Sequence, residues 1–136
     1  MSHVPPGFSA VTPYLCLPDA PGFLEFAKTA FGATVRMDHR DESGGLIHAE
    51  IEIEGSVIEI SEARPDVPAT RTCLHLYVSD CDAVLARVVA AGGEASYELA
   101  DHPYGERSGG VRDAWGNHWF IATMTDLVQR TTLPSD

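Results

Sequence analysis

The residues best suited to chemistry cluster in the run "LIHAEIEIEGSVIEISEA", residues 46–63. Its strict alternation predicts two strands, with Ile47, Ala49, Ile51 and Ile53 on one face and His48, Glu50, Glu52 and Glu54 on the other. After the glycine, Ile58 and Ile60 rejoin the apolar face, while Val57, Glu59 and Ser61 join the polar one. A two-residue loop of Gly55-Ser56 sets Glu59 opposite Glu52, and a loop of Glu54-Gly55 sets it opposite Glu50. Either register puts two carboxylates across one strand pair, which is destabilising unless something compensates. On a wetted face the cost is small, whereas inside a concave cleft the pair would raise a carboxyl pKa or invite a cation. With His75 on the same cleft face, two imidazoles plus a carboxylate are a donor set that can hold iron or zinc.

A second group lies in "TCLHLYV", where Cys73, His75 and Tyr77 share a face, and in "GERSGGVRDAWGNHWFIAT", residues 105–123. Nothing around Cys73 predicts an activated thiolate, so it is expected as a small buried thiol. For His75, contact with a ligand and satisfaction by a neighbouring group are equal alternatives. The stretch "GERSGG" lacks the strand–loop–helix context of a phosphate cradle. Arg107 and Arg112 could neutralise carboxylates in a cleft or bind an anion, or pair with Glu106 and Asp113. His102 and His118 are expected in turns or at the surface.

The elements that must position these groups occur twice. Shifted by 61 residues, Leu15 falls on Leu76, Asp19 on Asp80, Gly32 on Gly93, Gly44 on Gly105, Gly55 on Gly116 and Ile60 on Ile121, with no gap needed. Each copy opens with a short strand: Val11, Leu15 and Leu17 share a face in the first, and Leu74, Leu76 and Val78 in the second. Asp19 and Asp80 are helix N-caps, the helices run roughly over 21–31 and 82–91, and Gly32 and Gly92-Gly93 end them. Three further strands complete each copy, with Pro103 at a strand edge. The fold class expected is therefore α+β, two tandem βαβββ modules. Ile51, Ile53, Ile58, Ile60, Leu74, Leu76, Val78, Trp119 and Ile121 are predicted on the helix-covered face.

A chain of 136 residues with net charge −11 carries no basic stripe for a nucleic-acid backbone. The start "MSHVPPGF" has no basic segment followed by an apolar run, so no signal peptide is expected, and no apolar run approaches a membrane span. Cys16, Cys73 and Cys81 lack paired spacing, which fits a reducing, cytoplasmic location.

The segments "TPYLCLPDAPGFLEFAKTAFGA", "LHLYVSDCDAVLARVVAAGGEA" and "GERSGGVRDAWGNHWFIAT" resemble the vicinal-oxygen-chelate superfamily of glyoxalases, bleomycin-resistance proteins and ring-cleaving dioxygenases. "HAEIEIEG", "LHLYVSDCDA" and "SGGVRDAWGNHW" look most like its PhnB-like branch. The resemblance implies one domain over 1–136, with modules at about 9–63 and 71–124, and a mixed sheet curled around a cleft. Metal-dependent members draw four ligands from the first and fourth strands of the two modules. The positions that match here are Thr12, Glu59, Cys73 and Phe120, and Phe120 cannot bind a metal. No metal or other cofactor is therefore expected there, and a displaced site using His48, Glu50, Glu59 and His75 is the alternative. The function implied is binding of an aromatic or cationic small molecule by Thr12, Tyr14, His48, Glu50, Glu59, Cys73, His75, Tyr77, Arg112 and Phe120. The alternative is a metal-dependent lyase, isomerase or dioxygenase. A homodimer is the expected assembly.

Overall fold

The structure, a computed structural model, describes residues 3–126. Strand β1 (Tyr14–Leu17), helix α1 (Ala20–Phe31) and strands β2 (Thr34–Arg40), β3 (Leu46–Ile53) and β4 (Ser56–Glu62) form a first unit. Strand β5 (Cys73–Tyr77), helix α2 (Cys81–Ala90) and strands β6 (Glu94–His102), β7 (Glu106–Arg112) and β8 (His118–Met124) form a second, the division falling between Arg71 and Thr72. Each unit is a four-stranded mixed sheet, in the orders β1-β4-β3-β2 and β5-β8-β7-β6. In each, the first strand runs parallel to the fourth, and the remaining pairs are antiparallel. The expected βαβββ repeat is thus present, and neither sheet closes on itself.

Local chemistry explains how both helices start. The Asp19 carboxylate accepts from the Gly22 N–H, and that of Asp80 from the Ala83 N–H. These bonds satisfy donors that a first helical turn leaves orphaned. A second cap comes from the last strand of each unit. Glu62 accepts from the N–H groups of Asp19 and Ala20, and the Thr123 hydroxyl accepts from the Cys81 N–H while donating to the Val78 carbonyl. The first helix ends on Gly32 at φ 66°, where a residue without Cβ is favoured.

Register follows from one turn. Ile53 pairs with Ser56, so Glu54 and Gly55 are the loop, at φ 49° and 79°. Positive φ at both central residues is the hairpin turn whose twist matches the strands. This selects the register with Glu59 opposite Glu50.

The predicted helix-covered face holds. Leu15, Leu17, Phe23, Leu24, Ala27, Ile51 and Ile60 are at most 2 % exposed in the first unit, as are Val88, Val111, Trp119 and Ile121 in the second. Each large side chain so buried contributes about 1.5–3 kcal/mol. Leu74 and Leu76 keep the expected alternation but are only half-buried, on a strand at the sheet's edge.

Four expectations need correction. Val11 lies outside β1 and is almost fully exposed, because the ladder starts only after Pro13, whose carbonyl accepts from the Glu59 N–H. Ile47 is exposed and Leu46 buried in its place, since a register shift between His39 and Arg40 breaks the alternation there. Pro103 sits in the turn between β6 and β7, outside both strands. The ungapped repeat also fails in its middle. The positive φ of Gly32 recurs at Gly92 rather than Gly93, 60 residues on. Glu50 and Gly110, the partners of Glu59 and Phe120, are likewise 110 − 50 = 60 apart. The offset is back at 61 at the turn glycines Gly44 and Gly105, both at positive φ, and again beyond the longer β7–β8 loop, where Glu59 corresponds to Phe120.

Candidate functional site

Each sheet has a face that its helix leaves open. In the first unit, Tyr14 on β1 pairs with Glu59 on β4, which pairs with Glu50 on β3 and in turn with Met37 on β2. His48, two residues before Glu50, leans into this row. Its Nε2 lies 3.1 Å from Glu50 Oε2 and 3.6 Å from Glu59 Oε1, and its Nδ1 lies 3.4 Å from the Tyr14 hydroxyl. The side chains of His48, Glu50 and Glu59 are 25 %, 18 % and 26 % exposed, so water screens them only in part. Lys28, Arg36, Arg40 and Arg64 pair with Glu25, Glu52, Asp38 and Asp66 respectively, leaving Glu50 and Glu59 outside these ion pairs.

The segment before β1 lies across part of this face. A Cβ on Gly7 would stand 2.6 Å from Arg36 Nη1 and 3.4 Å from a Val57 methyl. Arg36 donates to the Pro6 carbonyl and lies 5.7 Å over the Phe8 ring. Val57, a polar-face residue by alternation, is buried in consequence. Between Pro5, Phe8, Ser9, Thr12 and Glu59 remains a cleft of about 410 Å³. Thr12 precedes the strand, and its hydroxyl donates to the Ser9 carbonyl.

The open face of the second unit is aromatic. His75 pairs with Phe120, Phe120 with Gly110, and Gly110 with Tyr97. The His75 ring lies 4.5 Å from Tyr77 and 6.1 Å from Phe120. The Tyr97 ring stacks 6.0 Å from Phe120 at 17°, and His118 lies 4.7 Å from Phe120. Gly110 makes this possible, because a Cβ there would fall 2.6 Å from the Tyr97 ring and 3.0 Å from His118 Nε2. Beside the rings is a cavity of about 340 Å³ lined by Tyr97, His102, Tyr104 and Phe120. His75 Nε2 also stands 3.5 Å from the buried carboxylate of Glu106.

Several expected residues behave differently. Arg107 lies on the helix-covered side, where it donates two hydrogen bonds to Asp82, at 2.8 and 2.9 Å. These bonds hold the Asp82 carboxyl down at about 2 and push the Arg107 guanidinium up. Arg112 is exposed on the open side, opposite His118 and without an ion pair to Asp113 among the described residues. The Asp113 carboxylate is instead buried, accepting from Trp115 N, Asn117 N, Asn117 Nδ2 and Trp119 Nε1. Cys73 is exposed at the start of an edge strand, whereas Cys16 and Cys81 are the buried thiols. Tyr97 and His118 were not expected in a site. The signal for them is the pair Gly109-Gly110 inside a strand, which marks close approach of another group.

The sequence profile of the Glyoxalase/Bleomycin resistance protein/Dioxygenase superfamily matches residues 9–121. The chain belongs to this superfamily. An uncharacterized protein of Mycobacterium bovis is 31 % identical over 123 residues, covering 82 % of this chain and 81 % of its own. Among solved structures, TioX from Micromonospora sp. ML1 matches with TM-score 0.71 and 23 % identity, over 85 % of this chain and 95 % of that one. TnmS3, an antibiotic binding protein from Streptomyces sp. CB03234, matches with TM-score 0.68 and 20 % identity, over 92 % and 98 %. At such identities these two structures share the fold.

The superfamily's metal positions do not fit an ion here. Phe120 offers no donor atom and stacks on Tyr97, and Thr12 lies outside the strand with its hydroxyl engaged. Glu59 and Cys73 alone do not supply the oxygen-and-imidazole set of these proteins. Among the described residues no helix is long and apolar enough to cross a membrane.

Proposed function

We propose that this superfamily member binds and sequesters a flat aromatic small molecule on the open face of its second unit. The observation that carries this reading is the array of His75, Tyr77, Tyr97, His118 and Phe120 on one side of one sheet. Aromatic side chains give a planar ligand large apolar contact with little rotamer entropy to lose, and each good ring pair adds about 0.5–1.5 kcal/mol. The adjoining cavity of about 340 Å³ has the size of a small-molecule pocket. Arg112 and Cys73 stand at the rim of the array, opposite His118 on either side, where they meet polar substituents. The segments that resemble the PhnB-like branch support that placement within the superfamily, and a homodimer is the assembly read from the same resemblance.

A screen of aromatic compounds by thermal shift and native mass spectrometry tests the reading. Phe120→Ala and Tyr97→Ala are each expected to weaken any hit about tenfold by calorimetry. Unchanged affinity in both variants would place the ligand elsewhere. Light scattering at micromolar concentration tests the dimer, and a monomeric mass would remove it.

A further inference from the structure

We propose that His48, Glu50 and Glu59 hold one divalent ion of the manganese-to-zinc series on the open face of the first unit. One nitrogen and two oxygens of these side chains lie within 4.8 Å of one another. Donors about 2.1 Å from a common ion stand about 3.0 Å apart in octahedral and about 3.4 Å apart in tetrahedral geometry. The 3.1 and 3.6 Å separations from His48 Nε2 to Glu50 Oε2 and Glu59 Oε1 lie close to those values. Imidazole with carboxylates is a set that ions of this series accept.

Observations outside the trio point the same way. The second ring nitrogen of His48 faces the Tyr14 hydroxyl, and a donor bond from Nδ1–H to Tyr14 leaves Nε2 free to ligate. A protonated Nε2 would stand 3.1 Å from Glu50 and 3.6 Å from Glu59, one positive charge shared between two carboxylates that face each other across the strand pair. Lys28, Arg36, Arg40 and Arg64 engage other carboxylates. Glu59 also forms part of the wall of the 410 Å³ cleft, where water or an oxygen donor of a ligand has room to complete the coordination. This site shares Glu59 with the superfamily's usual positions but takes its other donors from β3. In the second unit the counterparts of Glu59 and Glu50 are Phe120 and Gly110, neither of which ligates, so the stoichiometry is one ion per chain.

The test uses the full chain without an affinity tag, dialysed against zinc chloride or manganese chloride, with metal analysis and calorimetry. One equivalent per chain is expected for at least one ion. Glu50→Gln, which keeps size and shape, should weaken binding about tenfold or more, and His48→Ala likewise; far-ultraviolet circular dichroism checks that each variant is folded. Tyr14→Phe should weaken binding less, and Cys73→Ser should leave it unchanged. The proposal is overturned if neither ion binds saturably below millimolar concentration, if Glu50→Gln binds as the parent does, or if Cys73→Ser abolishes binding.

Discussion

The two sheets carry the same row of four strand positions with opposite chemistry. Across the first run Tyr14, Glu59, Glu50 and Met37; across the second run His75, Phe120, Gly110 and Tyr97. The scaffold beneath is nearly one unit written twice, down to the side chain on the last strand that caps the helix, Glu62 or Thr123. Where backbone and helix caps agree so closely, the row alone makes one face a cluster of donors and the other a stack of rings. The helix side of each sheet holds the fold, and the open side is free to diverge.

The largest expected difference lies at the β-hairpin turns that follow each row. The second unit closes its turn around the buried Asp113 carboxylate, whereas the first uses the two residues Glu54 and Gly55 with no such hub. Asp113→Ala strands the Trp119 N–H and the Asn117 amide in the core, at a cost of about 3 kcal/mol. Urea unfolding should show that loss, while Glu54→Ala stays within about 0.5 kcal/mol of the parent. Equal effects of the two changes would mean that the two turns do the same work.

Next in size is Gly110→Ala. The added methyl collides with the Tyr97 ring and with His118, so the stack on Phe120 must open. Overpacking of this kind costs about 1–3 kcal/mol, and aromatic ligands should bind about tenfold more weakly. The counterpart change, Glu50→Ala, should leave aromatic ligands unaffected. If Gly110→Ala keeps full affinity, the ring array is not the ligand site.

Much of this comparison was readable from the chain, and the unreadable part has identifiable causes. Alternation placed Ile51, Ile53, Ile58 and Ile60 on one face and His48, Glu50 and Glu59 on the other, because only a period of two satisfies a half-buried strand. The spacing of 61 found the repeat through Asp19 and Asp80, Gly55 and Gly116, and Ile60 and Ile121. It hid two local departures to 60, at Gly32 and Gly92 and at Glu50 and Gly110, each made good before the next turn glycine is reached. Tyr97 was illegible because irregular pairing flanks it on both sides, so no alternation survives to give its direction. Burial of Val57 was equally hidden, since it depends on the segment before β1 folding back over the sheet.

A smaller effect is expected at Glu54, which adopts φ 49° although it is neither glycine nor asparagine. Left-handed backbone costs an ordinary L-residue about 1 kcal/mol, and asparagine tolerates it better. Glu54→Asn should therefore stabilise the protein by about 0.5 kcal/mol in urea, giving the first turn a preference of its own. A loss of stability would show that the Glu54 side chain contributes more than the turn geometry.

A last effect of similar size is the most pointed, because its sign separates a face arranged for stability from one arranged for a cation. In chelator-treated protein, Glu59→Gln removes one of two carboxylates facing each other across a strand pair and leaves the His48–Glu50 contact in place. Like charges directly opposite are destabilising, so the variant should be more stable than the parent by about 0.2–1 kcal/mol. Raised salt should shrink that gain, since part of the repulsion passes through solvent. With zinc or manganese present the order should reverse, the parent gaining stability with the logarithm of ion concentration and the variant gaining little. Thermal melts with chelator and with each ion make the comparison directly. A variant less stable than the parent in chelator would mean that Glu59 is already satisfied by its neighbours, and the repulsion that makes a cation necessary would not exist.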